Sequence, residues 1–286
     1  MKIRAYAKVN LALDVVSKRA DGYHELEMIM APITLHDLIY IDRIKEGIVI
    51  ETNNYRMPTD ERNIMYKVAK ILIDRYHIPY GVNIHIYKHI PTQAGLAGGS
   101  ADGAAVLKAM NKMFHLGLSL QTLAEIGKEV GADIPFCIYE KTALVKGIGE
   151  KLEFIDNHFD CYFLLVKPSK GVSTKKSFGA LNLETALHPR ILSMKEGIEN
   201  NDYQLVLDSL GNTLEAPSID IVKDIETIKQ DLLDKGFDGA LMSGSGSCVF
   251  GMTKDKDLIE NAFQYFKNKY YFVRKTQILH KEEEKY

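Results

Sequence analysis

No run in this chain of 286 residues approaches the roughly 20 apolar residues that cross a bilayer, so no membrane span is expected. The opening MKIRAYAKVN lacks the character of a signal or transit peptide, and a cytoplasmic location is the expectation. Cysteine is scarce. Cys137, Cys161 and Cys248 form an odd set without metal-ligand spacing, which fits a reduced compartment rather than a disulfide framework. Each lies in an apolar neighbourhood and reads as a small core residue. An excess of one charge is also absent. The formal net charge is −2, which argues against a general nucleic-acid surface, so any polyanionic ligand must be held by local groups. There are no internal repeats and no low-complexity segments. Two common phosphate loops are missing as well: no GxxxxGKS or GxxxxGKT occurs, and no GxGxxG fits.

What remains is an ordinary soluble composition, 46% hydrophobic and 26% charged, in a chain long enough for two domains. Its most informative stretch is residues 91–107, PTQAGLAGGSADGAAVL. Residues 82–89 ahead of it alternate as a half-buried strand does, with Val82, Ile84, Ile86 and conceivably Lys88 on one face. Residues 101–111 behind it are mostly good helix formers. The glycine-rich loop therefore joins a strand to a helix N-terminus, where unpaired N–H groups and the macrodipole favour an anion and Ser100 could cap or touch a ligand. A second reading is open: small residues also permit tight helix packing.

Taken in order, residues 3–16 read as a strand interrupted by Lys8 and Asn10. A lysine there is either a snorkelling edge residue or a functional one. Asp21-Gly22 is a turn that presents Tyr23 and His24 at its exit. Residues 26–33, 38–43 and 48–51 read as three strands separated by Pro32, His36-Asp37 and Gly47. Asp60 is expected to cap a helix over 61–76, and Ser119 one that closes at Gly131. Asp133 follows, in a segment apolar enough to be buried, as either a turn aspartate or a catalytic one. Short strands over 142–145 and 151–154 flank the turn KGIGE.

A composition shift over residues 156–160 marks a candidate domain boundary. Beyond it, residues 161–166 read as a buried strand, 218–233 as one amphipathic helix, and 239–251 as strand, turn, strand. A helix over 259–267 and a strand over 270–277 follow. Four strands and two helices suggest an α+β sandwich. The final KEEEKY reads as a solvated tail.

Three segments, AKVNL, PTQAGLAGGSADGAA and LMSGSGSCVFG, resemble in order and spacing the three motifs of the GHMP small-molecule kinases. Further pieces, DGYHEL, GADIPFCI, KGIGE and PSKGVST, are similar to the branch that acts on a cytidine-diphosphate-linked methylerythritol in isoprenoid precursor synthesis. The resemblance implies an α+β, two-domain GHMP kinase fold. Its N-terminal domain, residues 1–156, would resemble ribosomal protein S5 domain 2, and its C-terminal domain, residues 157–286, would be ferredoxin-like, with the site in the cleft between them. It implies ATP with Mg²⁺, the ATP phosphates lying on Pro91, Thr92, Gln93, Ala94, Gly95, Leu96, Ala97, Gly98, Gly99, Ser100 and Ala101. Lys8 and Asp133 would form the catalytic pair, with Asp133 accepting the proton of the substrate hydroxyl. Tyr23 and Phe178 would stack on the cytosine, His24 would read its edge, and Asn10, Lys146 and Thr174 would face the sugar and diphosphate. No residue is implied as a metal ligand.

The chain departs from the family pattern in two places. Thr92-Gln93 stands where Met-Gly is common, and Ser100-Ala101-Asp102-Gly103 where Ser-Ser-Asp-Ala is common, so one loop hydroxyl is missing. Gly103 early in a helix costs about 1 kcal/mol relative to alanine. The expected partner is a small molecule carrying a cytidine diphosphate, with no nucleic acid or membrane, the protein being a monomer or homodimer. Rival readings are a GHMP kinase of mevalonate, phosphomevalonate or homoserine type, and a non-catalytic member of the fold. Retention of Lys8 and Asp133 weighs against the last.

Overall fold

The computed structural model describes residues 1–280; the tail read as solvated, residues 281–286, lies outside them. In chain order the elements are β1 (Lys2–Lys18), β2 (His24–Ile44), β3 (Ile48–Thr52), α1 (Ile64–Arg75), β4 (Gly81–Tyr87), α2 (Gly98–Met113), α3 (Leu120–Lys128), α4 (Ile134–Tyr139), β5 (Ala143–Gly147) and β6 (Lys151–Phe154). They continue with β7 (Tyr162–Lys167), α5 (Thr174–Gly179), α6 (Ile191–Glu199), α7 (Tyr203–Asp208), β8 (Gly211–Asn212), α8 (Glu215–Ile221) and α9 (Asp224–Asp234). β9 (Gly239–Met242), β10 (Val249–Thr253), α10 (Lys256–Lys267) and β11 (Phe272–Gln277) complete the series. Two compact units result. One holds Met1–Ala7, His36–Ile90 and Ala97–Glu140; the other holds Lys8–Leu35, Pro91–Leu96 and Lys141–Tyr286.

In the first unit, β4 pairs antiparallel with the later part of β2, Leu38 opposite Tyr87 and Ile44 opposite Gly81, and parallel with β3. Val82, Ile84 and Ile86 are fully buried, as the alternation predicts. α1 buries Met65, Val68, Ala69 and Leu72 at helical spacing. Its cap is Asn63, whose side chain accepts from the Met65 N–H, and not Asp60. Asp60 instead accepts from the Arg62 N–H and pairs with its guanidinium at 2.8 Å, closing a turn before the helix begins. Ser119 caps α3 as expected. α1 and α2 approach closely: a Cβ on Gly103 would lie 2.6 Å from Ile64 Cγ2. The tight-packing reading therefore holds for Gly103, and this contact offsets the helix-propensity cost.

β2 is one strand of 21 residues where the sequence suggested two. Pro32 lies inside it, its carbonyl accepting from the Leu279 N–H, while Asp37 is no turn residue but a fully buried carboxylate with partners of its own.

In the second unit, β5 pairs antiparallel with the first part of β2 and with β6, and β8 pairs parallel with β1 at Ala12 and Leu13. A separate antiparallel sheet has the order β11-β7-β10-β9. With α10 between β10 and β11, this is the strand order of a ferredoxin-like sheet, as expected. The single helix expected over 218–233 is two, α8 and α9, broken at Val222 in extended conformation. That break buries Val222 and leaves Ile221 exposed, so the apolar residues do not share one helical face. α5, α6, α7 and β8 were not anticipated; they are short and lack sustained periodicity. Cys137, Cys161 and Cys248 are all buried and in no disulfide, and burial pushes the Cys248 thiol up to about 12.

Candidate active site

Lys8 lies in β1 at 5% exposure, a burial that a cation tolerates only with partners. Its Nζ donates to Asn10 Oδ1 at 2.5 Å and to the carbonyl of Gly95 at 2.8 Å. The Lys8 N–H donates to Leu96 O at 3.3 Å, so main chain and side chain both grip the glycine loop. Ser243 adds a third tie: its Oγ donates to Gly95 O at 3.0 Å and accepts from the Asn10 N–H at 3.2 Å. The Ser247 N–H then reaches Gln93 O at 3.3 Å, and the Cys248 N–H reaches Ala94 O at 3.2 Å. The lysine segment, loop residues 93–96 and the small-residue turn before β10 are thus one hydrogen-bonded assembly within the second unit.

The glycines in that assembly have distinct reasons. Gly95 has φ +73°, and a Cβ there would lie 1.8 Å from Ser243 O. Gly244 has φ +56°, and its Cβ would meet Gly95 O at 2.9 Å. Neither position has room for a side chain. Gln93 and Ala97, at φ +50° and +54°, hold the left-handed region without being glycine. Asn212 braces the turn from β8, its amide donating to Met242 O and Gly244 O, each at 2.8 Å. No motif in the sequence marks Asn212 or Ser243 individually; their importance follows from what they touch.

His24 and Phe178 come together with ring centroids 4.9 Å apart and 32° between planes. Burial, aided by the charge of Lys18, lowers the His24 pKa. Tyr23 is 61% exposed at the adjoining turn, its N–H held by Asp21 Oδ1 at 3.0 Å. Thr174, at the start of α5, shares a 3.0 Å hydrogen bond with Ser245 Oγ, and Lys146 in β5 pairs with Glu27 at 3.2 Å.

The start of α2 and the segment before α4 belong to the first unit. α2 begins at Gly98 behind Ala97, with no side-chain cap. Ser100 is therefore inside the first turn and not the N-cap, and the leading N–H groups have no side chain over them. Asp133 stands at the N-cap position of α4, likewise without a side-chain cap bond, and is half-buried where the sequence suggested burial. The apolar run after it anchors it. Ile134 is fully buried, and a Cβ on Gly127 would strike its Cγ2 at 2.3 Å. Among the described residues no group of three or more His, Cys, Asp or Glu is placed to hold a metal ion, and no helix is long and apolar enough to cross a membrane.

Residues 63–141 match the GHMP kinases N terminal domain, and residues 194–271 match GHMP kinases C terminal. The chain belongs to the GHMP kinases. As a member it is an ATP-dependent small-molecule kinase. A 4-diphosphocytidyl-2-C-methyl-D-erythritol kinase from Clostridium beijerinckii is 44% identical to it over 279 residues, which cover 96% of this chain and all of that one. The Bacillus subtilis protein of the same name is 43% identical over 95% of both chains. A crystal structure of 4-(cytidine 5'-diphospho)-2C-methyl-D-erythritol kinase superposes on this GHMP kinase with TM-score 0.84 and 28% identity, covering 98% of this chain and 100% of that one. A homoserine kinase from Cytophaga hutchinsonii, at TM-score 0.74 and 19% identity over 97% and 94%, shares the fold.

Proposed function

We propose that this kinase transfers the terminal phosphoryl group of ATP to the 2-hydroxyl of 4-diphosphocytidyl-2-C-methyl-D-erythritol, giving the 2-phosphate and ADP. The observation that carries this is identity of 42 to 44% with proteins of that name along 95 to 96% of the chain. In the cell it is a cytoplasmic step of isoprenoid precursor synthesis by the methylerythritol phosphate route, performed by a monomer or homodimer. The boundary between its ATP-binding and C-terminal domains is put at residues 156–157, between β6 and β7.

Phosphoryl transfer needs the acceptor oxygen, phosphorus and leaving oxygen in line, and charge neutralised as it spreads over the phosphoryl group. ATP supplies the phosphoryl group, and residues 91–101 hold its phosphates. Support for this comes from the start of α2, where Ala97 at the N-cap position makes no side-chain cap bond to the leading N–H groups. Mg²⁺, when bound, neutralises phosphate charge. Among the described residues no group of three or more His, Cys, Asp or Glu is placed for it, so the ion would take its ligands chiefly from the phosphates, as it commonly does.

Asp133 accepts the hydroxyl proton while the new O–P bond forms and the bond to the ADP oxygen breaks. Its half-buried position and uncapped carboxylate suit a proton acceptor. Lys8 supplies positive charge to the moving group, and its bonds to Asn10 and Gly95 O support that role by limiting where the ammonium can go. Tyr23 and Phe178 stack on the cytosine and His24 reads its edge, while Asn10, Lys146 and Thr174 face the sugar and diphosphate. The exposed Tyr23 ring and the His24–Phe178 contact favour an aromatic base site, which nucleotide-free acceptors such as mevalonate or homoserine would not use.

The test is ADP release by the purified protein with ATP and Mg²⁺, comparing the cytidine substrate with mevalonate, phosphomevalonate and homoserine. Release with the cytidine substrate alone, abolished by Asp133→Asn, is the expected result. Release with another acceptor only, or none with any, overturns the proposal.

A further inference from the structure

Away from the residues given roles above, the first unit buries three ionisable side chains in mutual contact. Asp37 is 0% exposed and Asp102 3%, while the Lys88 side chain is 6% exposed. Lys88 Nζ bridges the carboxylates of Asp37 and Asp102, the latter at 2.6 Å. Burying such groups gains little stability over an apolar trio of the same size, so their geometry must be accounted for.

Each member ties down a different stretch of backbone. Asp37 comes from β2, and its Oδ1 accepts the N–H groups of His89 and Ile90, the latter at 2.8 Å. Those are the last two residues before the loop begins at Pro91. Asp102 comes from α2, one turn beyond Gly98, where the loop ends. Lys88 joins the two sides. They are also in direct contact: a Cβ on Gly98 would lie 2.8 Å from Ile90 Cγ2 and 3.5 Å from Lys88 Nζ. We propose that Lys88, Asp37 and Asp102 are a clasp that sets the distance between the two ends of the phosphate loop, and so act as positioning residues for ATP; this rests on the kinase reading above.

The charges fit a clasp that is tight but not fully satisfied. One ammonium faces two carboxyl groups. Burial pushes the Asp102 carboxyl well above the usual range; Lys88 opposes this and the charge of Asp37 adds to it, while Asp102 Oδ1 has no hydrogen-bond partner. Burial works against the Lys88 ammonium, but Asp102 and Asp37 together raise its pKa. Loss of the lysine removes the cation that draws both carboxyl groups, and with Asp102 the first turns of α2, toward Ile90. The N–H groups at the start of α2 then shift relative to the loop, and misplacement on the order of 1 Å is costly where several bonds must be made at once.

The experiment uses the full-length enzyme with Lys88→Met. Initial rates are measured at varied ATP and at varied cytidine substrate, ATP binding is measured directly by equilibrium dialysis, and folding is checked by thermal melting. The expected result is a rise of about 10-fold in both the KM and the Kd for ATP, with the KM for the cytidine substrate within about twofold of wild type. A folded variant whose ATP constants stay within about twofold of wild type overturns the clasp. So does a variant whose two KM values rise together with a lowered melting temperature, the mark of a merely structural role. If Lys88→Met does not fold, Asp37→Asn, which keeps size and an acceptor for the Ile90 N–H, is held to the same limits. Wild-type protein that fails to bind ATP overturns the kinase reading and the clasp with it; wild-type turnover beside an unaffected variant overturns the clasp alone.

Discussion

The ammonium of Lys8 donates to the main-chain carbonyl of Gly95 at 2.8 Å, across 87 positions of sequence. The same carbonyl accepts from Ser243 Oγ at 3.0 Å. One loop oxygen is therefore shared by a residue from each of the other two motif segments. Anything that turns that peptide disturbs the proposed catalytic lysine and the proposed phosphate loop together.

Gly95→Ala is the most direct disturbance. The residue sits at φ +73° with Ser243 O where a Cβ would go, so alanine must displace backbone. A loss of about 2 to 4 kcal/mol in unfolding free energy is expected from backbone strain and overpacking, together with weakened ATP binding. Urea unfolding and ATP titration of the variant check both.

Asp133→Asn should separate chemistry from folding. The carboxylate makes no cap bond to α4, and the helix is anchored by Ile134, so the melting temperature should change little. Turnover should fall about 100-fold or more with both ligands still bound, because the proposed proton acceptor is lost. Near-normal turnover in a steady-state assay would remove Asp133 from the mechanism.

Tyr23→Ala removes an exposed ring at the proposed cytosine site. Stacking of a base on an aromatic ring contributes about 1 to 3 kcal/mol, so the KM for the cytidine substrate should rise by roughly 10-fold or more. The KM for ATP should stay nearly constant. Equal changes in the two constants would argue against a base site at this turn.

Asp102→Asn tests the clasp by pH. The folded-state pKa of Asp102 is raised above its ordinary 3.8, so the folded state holds the proton that the unfolded chain releases. Its contribution to stability is full below 3.8 and is lost as pH rises through the raised value. Over that window the wild type should lose up to about 1.4 kcal/mol per pH unit relative to the asparagine variant. Unfolding both proteins by urea across the pH range measures the difference. A constant gap at every pH would show that Asp102 does not titrate between the two states.

Much of the second unit's sheet was legible because its strands are short, apolar and bounded by glycine or proline, as at residues 161–166 and 239–251. Errors arose where a local signal was answered from far away. Pro32 and Asp37 look like strand breakers, yet both lie within β2: the Pro32 carbonyl accepts from the distant Leu279 N–H, and Lys88 with the N–H groups after β4 absorbs Asp37. Asp60 resembles a cap as much as Asn63 does; which one starts α1 depends on where the chain must turn to bury Met65 and Val68.

The sequence by itself determined the three small-residue and lysine motifs, the start of the helix that Ser119 caps, and the family to which those motifs belong. Such features depend on residue type at short spacing, which the chain carries in any conformation. Only the tertiary structure decided that Gly95 must be glycine because of Ser243, that Asn212 braces the turn beside it, and that Lys88, Asp37 and Asp102 meet in the interior. Those facts depend on which distant backbone atoms occupy the space around a side chain, and no local pattern encodes that.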